Sequence, residues 1–253
     1  MFRFESIAAG YFLILTLSAA VAPVARHRAV RAAAASVAAT LSIVAAAWTL
    51  PDSVRIGLPL LYLPAGYWLP AMLTSPGESR FEAWLRRHDA TWRHRLGRLG
   101  PVAASALEAA YLACYVVVPL ALVVVLRTGT TDQVEDFWVA VLPAGFVCYI
   151  TLPWLVSRPP RLIDDIASPT GMGHFNVALL RTVSHQFNTF PSGHVAVATA
   201  AALAVSSTSG MAGVLFGVVA AGIAAGAAIG RYHYGIDVLA GALLGIVCAL
   251  AAR

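Results

Sequence analysis

The chain has 253 residues, of which 59% are hydrophobic and 11% are charged, and its formal net charge is +5. A soluble domain carries about 25% charged residues, so this composition excludes an ordinary soluble globule and predicts a chain that lies in lipid. The positive charge is concentrated in a few loops, which suits anionic headgroups. We therefore expect contacts with membrane lipids and none with nucleic acid. The three cysteines lie in apolar runs and indicate neither a disulfide nor a metal site.

Apolar runs long enough to cross a bilayer predict about eight transmembrane helices. They cover roughly residues 6–25, 29–50, 53–74, 101–126, 134–156, 192–209, 211–230 and 237–252. The first run lacks a convincing small-residue cleavage site, so we expect a span there and not a removable signal. The predicted fold class is an all-α, polytopic membrane helical bundle.

Residues 78–99, between the third and fourth predicted spans, predict an amphipathic helix that lies in the membrane interface. Aromatic and leucine side chains recur on one face at a period of 3.6 residues, and arginines occupy the rest. The apolar face consists of Phe81, Trp84, Leu85, Trp92, Leu96 and Leu99. We expect this face to dip into lipid.

Residues 157–188 form a polar segment after the fifth predicted span, and its length is typical of a functional loop. Arg158 and Arg161 bracket a Pro-Pro pair that ends the preceding helix. Their planar guanidinium groups suit the oxygens of one phosphate. Interfacial arginines that only reach lipid headgroups would give the same pattern.

The sequence PSGH, residues 191–194, stands where the sixth span begins. A helix that starts here leaves the N–H groups of its first turn uncovered at the positive end of the helix dipole, which favours an anion. Gly193 permits close approach of that anion, and His194 would lie beside it. A simple helix-starting turn with a polar His explains the same four residues.

The sequence GRYHYGIDVLAG, residues 230–241, follows the seventh span. His233 and Asp237 are four residues apart and share a face if this stretch is helical. A carboxylate bonded to one ring nitrogen makes the other a better nucleophile, and Arg231 adds a cation. The alternative is a polar pair that caps the last span. Ends of odd-numbered spans and starts of even-numbered spans lie on the same side, so we expect all three motifs to meet at one membrane face.

These motifs resemble those of the type-2 phosphatidic acid phosphatase superfamily over roughly residues 138–250. The resemblance implies a six-helix phosphatase core preceded by about two further spans. We accordingly divide the chain into N-terminal transmembrane helices, 1–52, and a phosphatase-like membrane domain, 53–253. Relatives of this kind suggest a bacterial cytoplasmic membrane. The larger number of arginines on the motif face favours a cytoplasmic site, whereas bacterial relatives commonly act on the outer side, so the orientation stays open.

The resemblance also implies a role for each motif residue. His233 would attack phosphorus, Asp237 would orient it, and His194 would protonate the leaving alcohol. Ser192 and Gly193 would hold phosphate oxygens.

Two positions depart from the family pattern, and similar departures occur in the branch that includes inositol phosphorylceramide synthases. Thr151 replaces the usual Lys of the first motif, and Ala227 replaces an Arg six residues before the attacking His. We therefore expect the phosphate to be bound by Arg158, Arg161 and Arg231, with Arg161 supplying the missing charge.

The favoured function is a metal-independent lipid phosphate phosphatase that forms a phosphohistidine, needs no cofactor and takes a lipid phosphate as substrate. One alternative is a phosphotransferase that moves a phospho-headgroup, such as inositol phosphate, between lipids. Another is a metal enzyme, for which the candidate ligands are His174, His185, His194, His233, Asp164, Asp165 and Asp237. A non-catalytic scaffold or transporter is the third, since Glu108 lies within a span. A single such Glu is more typical of a hydrogen-bonded packing residue.

Overall fold

The computed structural model describes residues 1–75, 77, 79–89, 99–164 and 170–253. Within these ranges the chain forms thirteen α-helices and no β-strand. The helices are α1 Arg3–Val21, α2 Arg26–Thr49, α3 Asp52–Arg55, α4 Pro59–Ala71, α5 Arg80–His88, α6 Pro101–Leu112, α7 Val117–Thr128, α8 Thr131–Ile150, α9 Pro160–Ile163, α10 Gly171–Val183, α11 Gly193–Ser206, α12 Gly210–Ile229 and α13 Gly235–Ala251. The predicted all-α fold is confirmed.

Several helices are long and apolar enough to cross a membrane. In the described part of the chain these are α1, α2, α8 and α12, and the bent pair of α6 and α7 makes a fifth if it is one span. The apolar helices α11 and α13 are shorter. Large apolar side chains on the outer surface are exposed, as lipid contact requires; they include Leu13, Leu17, Trp48, Leu61, Val214 and Leu239. The polytopic membrane bundle is thus confirmed, with spans less regular than the sequence suggested.

Prolines break two of the predicted spans. The run 53–74 is divided into α3 and α4, and Pro59 opens the second piece. The run 101–126 is divided by a 3-10 turn at Ala113–Tyr115, where α6 and α7 meet at 60°. Pro119 stands in the first turn of α7, where its missing N–H costs nothing, whereas in an unbroken helix it would remove a hydrogen bond.

The two polar segments between spans also differ from expectation. The segment 157–188 was expected to be a loop, but it contains α9 and the 13-residue helix α10. The hydroxyl of Thr170 caps α10 by accepting the N–H of Gly173 at 3.1 Å. Of the interfacial helix expected at 78–99, the structure has α5; Trp92 and Leu96 lie outside the described residues.

The helix α11 lies at the centre of the bundle, in contact with α7, α8, α12 and α13. Its alanines and valines are small enough to be buried on nearly every side. A side chain at Gly241 would meet the Ser192 carbonyl at 2.5 Å, and one at Gly245 would meet the Ala196 carbonyl at 2.4 Å. This G-x-x-x-G face lets α13 approach α11 closely and brings the start of α13 beside the PSGH segment.

Candidate active site

The structure brings the three motifs together. The N–H of Arg161 donates to the carbonyl of Arg231 at 2.9 Å, which joins the first motif to the third. The N–H of Ser192 donates to the carbonyl of Asp237 at 2.9 Å, which joins the second motif to the third. The hydroxyl of Thr151 donates to the carbonyl of Phe190 at 2.6 Å and ties the end of α8 to the same cluster.

Asp237, His233 and His194 form a line of hydrogen-bonding groups. The Nδ1 atom of His233 lies 3.2 Å from the carboxylate of Asp237. Its Nε2 atom lies 3.4 Å from Nδ1 of His194. His233 precedes α13, so the pair forms across the start of that helix, not along one helix face. This line leaves Nε2 of His233 as the unprotonated nitrogen when the carboxylate holds the proton on Nδ1.

A tight turn at the end of α12 presents His233. The carbonyl of Ala227 accepts the N–H groups of Tyr232 at 3.0 Å and of His233 at 2.9 Å. Arg231 has a φ of 64°, in the left-handed region. A non-glycine residue takes this conformation only where its surroundings hold it there. The contacts of the Arg231 side chain supply that support.

Of the three predicted phosphate-binding arginines, Arg161 is the one that lines the same cavity as the histidines. It is 5% exposed and is held by Glu108, whose carboxylate accepts one amino group of Arg161 at 2.9 Å. The same carboxylate accepts the Asn176 amide at 2.7 Å and the Tyr232 hydroxyl at 2.5 Å. Glu108 is therefore a hydrogen-bonded residue inside the protein, as the sequence favoured.

The Arg161 guanidinium keeps donors that Glu108 does not use. Its Nε and second amino group are buried without a hydrogen-bond partner among the described residues. Buried donors are nearly always paired, so this guanidinium suits an anion that completes its hydrogen bonds. The ring of Tyr232 lies 4.8 Å from the guanidinium carbon and fixes its plane.

The other two predicted arginines lie outside this arrangement. Arg158 forms a two-pronged pair with Glu82, at 3.0 and 2.6 Å. Arg231 is 3% exposed and contacts the carboxylates of Asp89 and Asp164. Neither side chain lines the cavity that the histidines border. Their proposed contact with phosphate stays a prediction.

Two backbone N–H groups of the PSGH segment already donate hydrogen bonds within the protein. Besides the bond from Ser192 to Asp237, the N–H of Gly193 donates to the Thr189 hydroxyl at 3.0 Å. The Ser192 hydroxyl is fully buried and has no partner among the described residues. A side chain at Gly193 would meet the Tyr149 ring at 2.7 Å, so this close approach requires glycine.

His194, His233, Arg161 and Gly193 border a cavity of about 550 Å³. From the histidines it extends along α4 and the break between α6 and α7. Its walls are mostly apolar and aromatic; they include Leu60, Leu63, Pro64, Tyr67, Tyr115, Val118, Val177 and Leu180. Arg181, an exposed residue of α10, also lines it. Two imidazoles and a guanidinium therefore border the same largely apolar cavity.

His174 and His185 are not among the residues that line the cavity beside His194 and His233. His174 is exposed on α10. The ring of His185 stacks on Tyr67 with centroids 4.1 Å apart, and burial lowers its pKa to about 4. Asp165 lies outside the described residues. Among the residues that are described, no group of three His, Cys, Asp or Glu side chains is placed to hold a metal ion.

The sequence interpretation missed the carboxylates that hold the arginines. Glu82 pairs with Arg158, and Asp89 pairs with Arg231. Burial by itself would raise the pKa of Glu82, but the hydrogen bonds and charge of Arg158 outweigh it and hold that pKa below its usual value. The available signal was the spacing of Glu82, Leu85 and Asp89, which share one face of α5.

A family model described as the PAP2 superfamily matches residues 79–251, more than half of the chain. The match covers all three motifs and begins at Ser79, which caps α5 by accepting the N–H of Glu82 at 2.9 Å. The match starts at residue 79, whereas the sequence analysis placed the start of the domain at residue 53. No curated protein and no solved structure matches the chain.

Proposed function

The chain belongs to the PAP2 superfamily, whose members are generally phosphatases, and from this premise we propose that it is an integral membrane lipid phosphate phosphatase that acts through a phosphohistidine. The observation that carries the proposal is the line from Asp237 through His233 to His194 at the wall of a largely apolar cavity. The superfamily alone supports phosphoric ester hydrolysis; the lipid substrate and the covalent step are our inferences from the site.

In the first step, Nε2 of His233 attacks phosphorus and the bond from phosphorus to the alcohol oxygen breaks. His194 gives its proton to that oxygen, so the alcohol leaves neutral and the phosphoryl group remains on His233. In the second step His194 takes a proton from water, whose oxygen attacks phosphorus, and the bond from phosphorus to Nε2 of His233 breaks, which releases inorganic phosphate and restores the imidazole. The entering phosphoryl group would replace the present contact between the two rings.

Arg161 is the cation best placed to hold the phosphate. Its Nε and second amino group are buried without a partner among the described residues, Arg161 lines the same cavity as the histidines, and a guanidinium matches phosphate oxygens in geometry. Fixed donors in a water-poor site stabilise the charge that develops on a transferring phosphoryl group. Arg181, which is exposed and also lines the cavity, is the second candidate for attracting the anion.

The apolar walls support a lipid as the substrate. A phosphate ester of a small, water-soluble alcohol would leave most of the 550 Å³ cavity without complementary contacts. An alkyl chain buries apolar surface there at about 25 cal/mol per Å². The break between α6 and α7 widens the cavity next to the catalytic histidines.

Phosphate release by the purified protein tests the proposal, with a long-chain lipid phosphate and p-nitrophenyl phosphate as substrates. We expect release from both, and loss of it in His233→Ala and His194→Ala but not in His27→Ala, an exposed position on α2. His233→Ala should also lose the acid-labile phosphoenzyme trapped from radioactive substrate. Normal labelling of His233→Ala would refute the covalent role.

The same assay separates hydrolysis from transfer. Phosphate release without an added alcohol supports the hydrolase. A product that forms only when an alcohol such as inositol is added identifies a phosphotransferase, in which the alcohol takes the place of water in the second step.

A further inference from the structure

Residues of the helix α5 and its C-terminal end form hydrogen bonds with two of the three motifs. Glu82, Leu85 and Asp89 lie on one face of this helix and its end, at positions i, i+3 and i+7. They are 2%, 0% and 3% exposed, respectively. Arg86 and Arg87, on the remainder of the surface, are exposed. The apolar face expected to enter lipid is thus partly turned onto the protein.

At the first turn of α5, Glu82 holds the first motif. Its carboxylate accepts the backbone N–H of Arg158 at 2.8 Å as well as the two guanidinium contacts. Phe81 packs against Phe190, the residue before the PSGH segment, with ring centroids 5.1 Å apart. A carboxylate that binds both backbone and side chain of one residue fixes the path of the chain there.

Past the end of α5, Asp89 holds the loop that carries the nucleophile. One carboxylate oxygen accepts the N–H of Gly235 at 2.8 Å, at the start of α13. The other contacts the guanidinium of Arg231. His233 lies between these two attachment points. Arg231 is the residue with positive φ, so Asp89 supports the backbone conformation that presents the nucleophile.

We propose that Glu82 and Asp89 are positioning residues for the phosphoryl-transfer site, and that α5 clamps the first and third motifs in their catalytic arrangement. This inference rests on the proposed function. It assigns Arg158 and Arg231 to holding loops, and leaves Arg161 as the cation that contacts phosphate. The charges of Arg158 and Arg231 are already matched by carboxylates before any substrate binds.

The alternative role for these carboxylates is a shield that keeps Arg158 and Arg231 from phosphate. The two roles predict opposite changes. If Asp89 positions His233, its loss lowers kcat and leaves anion affinity unchanged, because displacement of a reacting group by 1 Å costs about a hundredfold in rate. If Asp89 shields Arg231, its loss frees a cation and tightens anion binding.

Asp89→Asn is the first variant, since an amide oxygen still accepts the Gly235 N–H while one of the two carboxylates that contact Arg231 loses its charge. We expect kcat on p-nitrophenyl phosphate to fall about tenfold to a hundredfold, with the inhibition constant for inorganic phosphate, a ground-state anion, changed by less than about threefold. Asp52→Asn is the matched control, because Asp52 pairs with Arg55 at 2.6 Å away from the motifs. The control should keep its turnover.

A charge exchange tests the other end of α5. Glu82→Arg and Arg158→Glu should each lower kcat, and the double variant should recover part of it, since the pair is restored with its signs reversed. A double variant no better than the single ones would show that Arg158 does more than hold Glu82 and would overturn the proposal for that pair. This exchange decides the matter if Asp89→Asn is not recovered as a folded protein.

Unchanged kcat in a folded Asp89→Asn protein, or tighter inhibition by inorganic phosphate with unchanged kcat, overturns the proposal while the phosphatase function stands. A wild-type protein that turns over neither phosphate ester refutes both together.

Discussion

At the scale of single residues, the site combines a fixed nucleophile with an incompletely paired cation. Asp237 is fully buried and binds the ring of His233, which in turn faces His194. One amino group of Arg161 donates to Glu108 and to the Gly230 carbonyl, and its Nε and second amino group have no partner among the described residues. Asp237, His233, His194 and Arg161 each have a neighbour that fixes the orientation of the side chain. The role of each residue can therefore be tested by a separate substitution.

Asp237→Asn should lower turnover by roughly a hundredfold or more, by analogy with other histidines that a carboxylate orients. The amide keeps the shape and a hydrogen bond, but it loses the charge and permits the wrong tautomer of His233. Steady-state kinetics on a soluble ester measures the effect. A rise in KM with unchanged kcat would contradict the orienting role.

Arg161→Ala should lower kcat/KM by about a hundredfold or more on soluble and lipid esters alike, because it removes the donors that stabilise the transferring phosphoryl group. Arg161→Lys should recover only part of that loss, since an ammonium keeps the charge but not the paired donors. Arg127→Ala, at an exposed arginine near the end of α7, is the control. Near-normal turnover by Arg161→Ala would place the phosphate elsewhere, with Arg181 the next candidate.

At the scale of elements, short connections carry the chemistry and the helices hold them in place. The close approach of α13 to α11 brings Asp237 to the PSGH segment, and α5 holds two of the motif loops. The segment after α10 is held by a contact with α4, in which His185 stacks on Tyr67. This segment leads directly into PSGH, so its stability bears on the site.

His185 should make the stability of the protein depend on pH. Burial lowers its pKa in the folded state to about 4 from an ordinary value of 6.5. The unfolded state therefore binds more protons between these values, and stability present above pH 6.5 is lost as the pH falls toward 4. His185→Phe keeps the stacking on Tyr67 and removes the titration. The fall in Tm from pH 7.5 to pH 5 should be smaller in this variant.

The matched control for that comparison is His27→Phe, at an exposed position of α2. It should show the same fall in Tm as the wild type. Equal falls in all three proteins would mean that His185 does not contribute to the acid sensitivity.

At the scale of the whole molecule, the bundle forms a chamber that opens beside the histidines and extends among its apolar helices. The chamber depends on irregularities in the helices, above all the 60° bend between α6 and α7 and the start of α4 at Pro59. Straight, unbroken spans would close it. The irregular spans therefore create the volume in which a lipid substrate is proposed to lie.

Leu60→Trp should discriminate against long-chain substrates. Leu60 lines the cavity, and a larger ring there would fill space needed by an alkyl chain. We expect kcat/KM for a long-chain lipid phosphate to fall about tenfold or more, since excluding even a few methylene groups costs about 0.8 kcal/mol each. Turnover of p-nitrophenyl phosphate should be unchanged.

The neighbouring substitution Leu61→Trp provides the control, because Leu61 is 66% exposed on the outer surface of α4. Equal losses on both substrates, or equal effects of both substitutions, would argue against an alkyl chain in the cavity.

The sequence by itself determined the membrane class, the positions of most spans and the identity of the motif residues. These features depend on local patterns: apolar runs set the spans, and spacings of a few residues set PSGH and the His233–Asp237 pair. The alternation of spans across the membrane also predicted that the three motifs face one side. None of these inferences required knowledge of how one helix packs on another.

Only the tertiary structure decided which arginine borders the cavity and which carboxylate holds each arginine. Arg161 and Glu108 are 53 residues apart in sequence, and Arg231 and Asp89 are 142 apart. No local period connects such residues, and charge alone makes every arginine an equal candidate for phosphate. Packing made the arginines different: it buried Glu82 and Asp89 against two of the motifs, because a buried charge must be paired wherever the fold places it. It left Arg161 at the cavity with two donor groups that have no partner among the described residues.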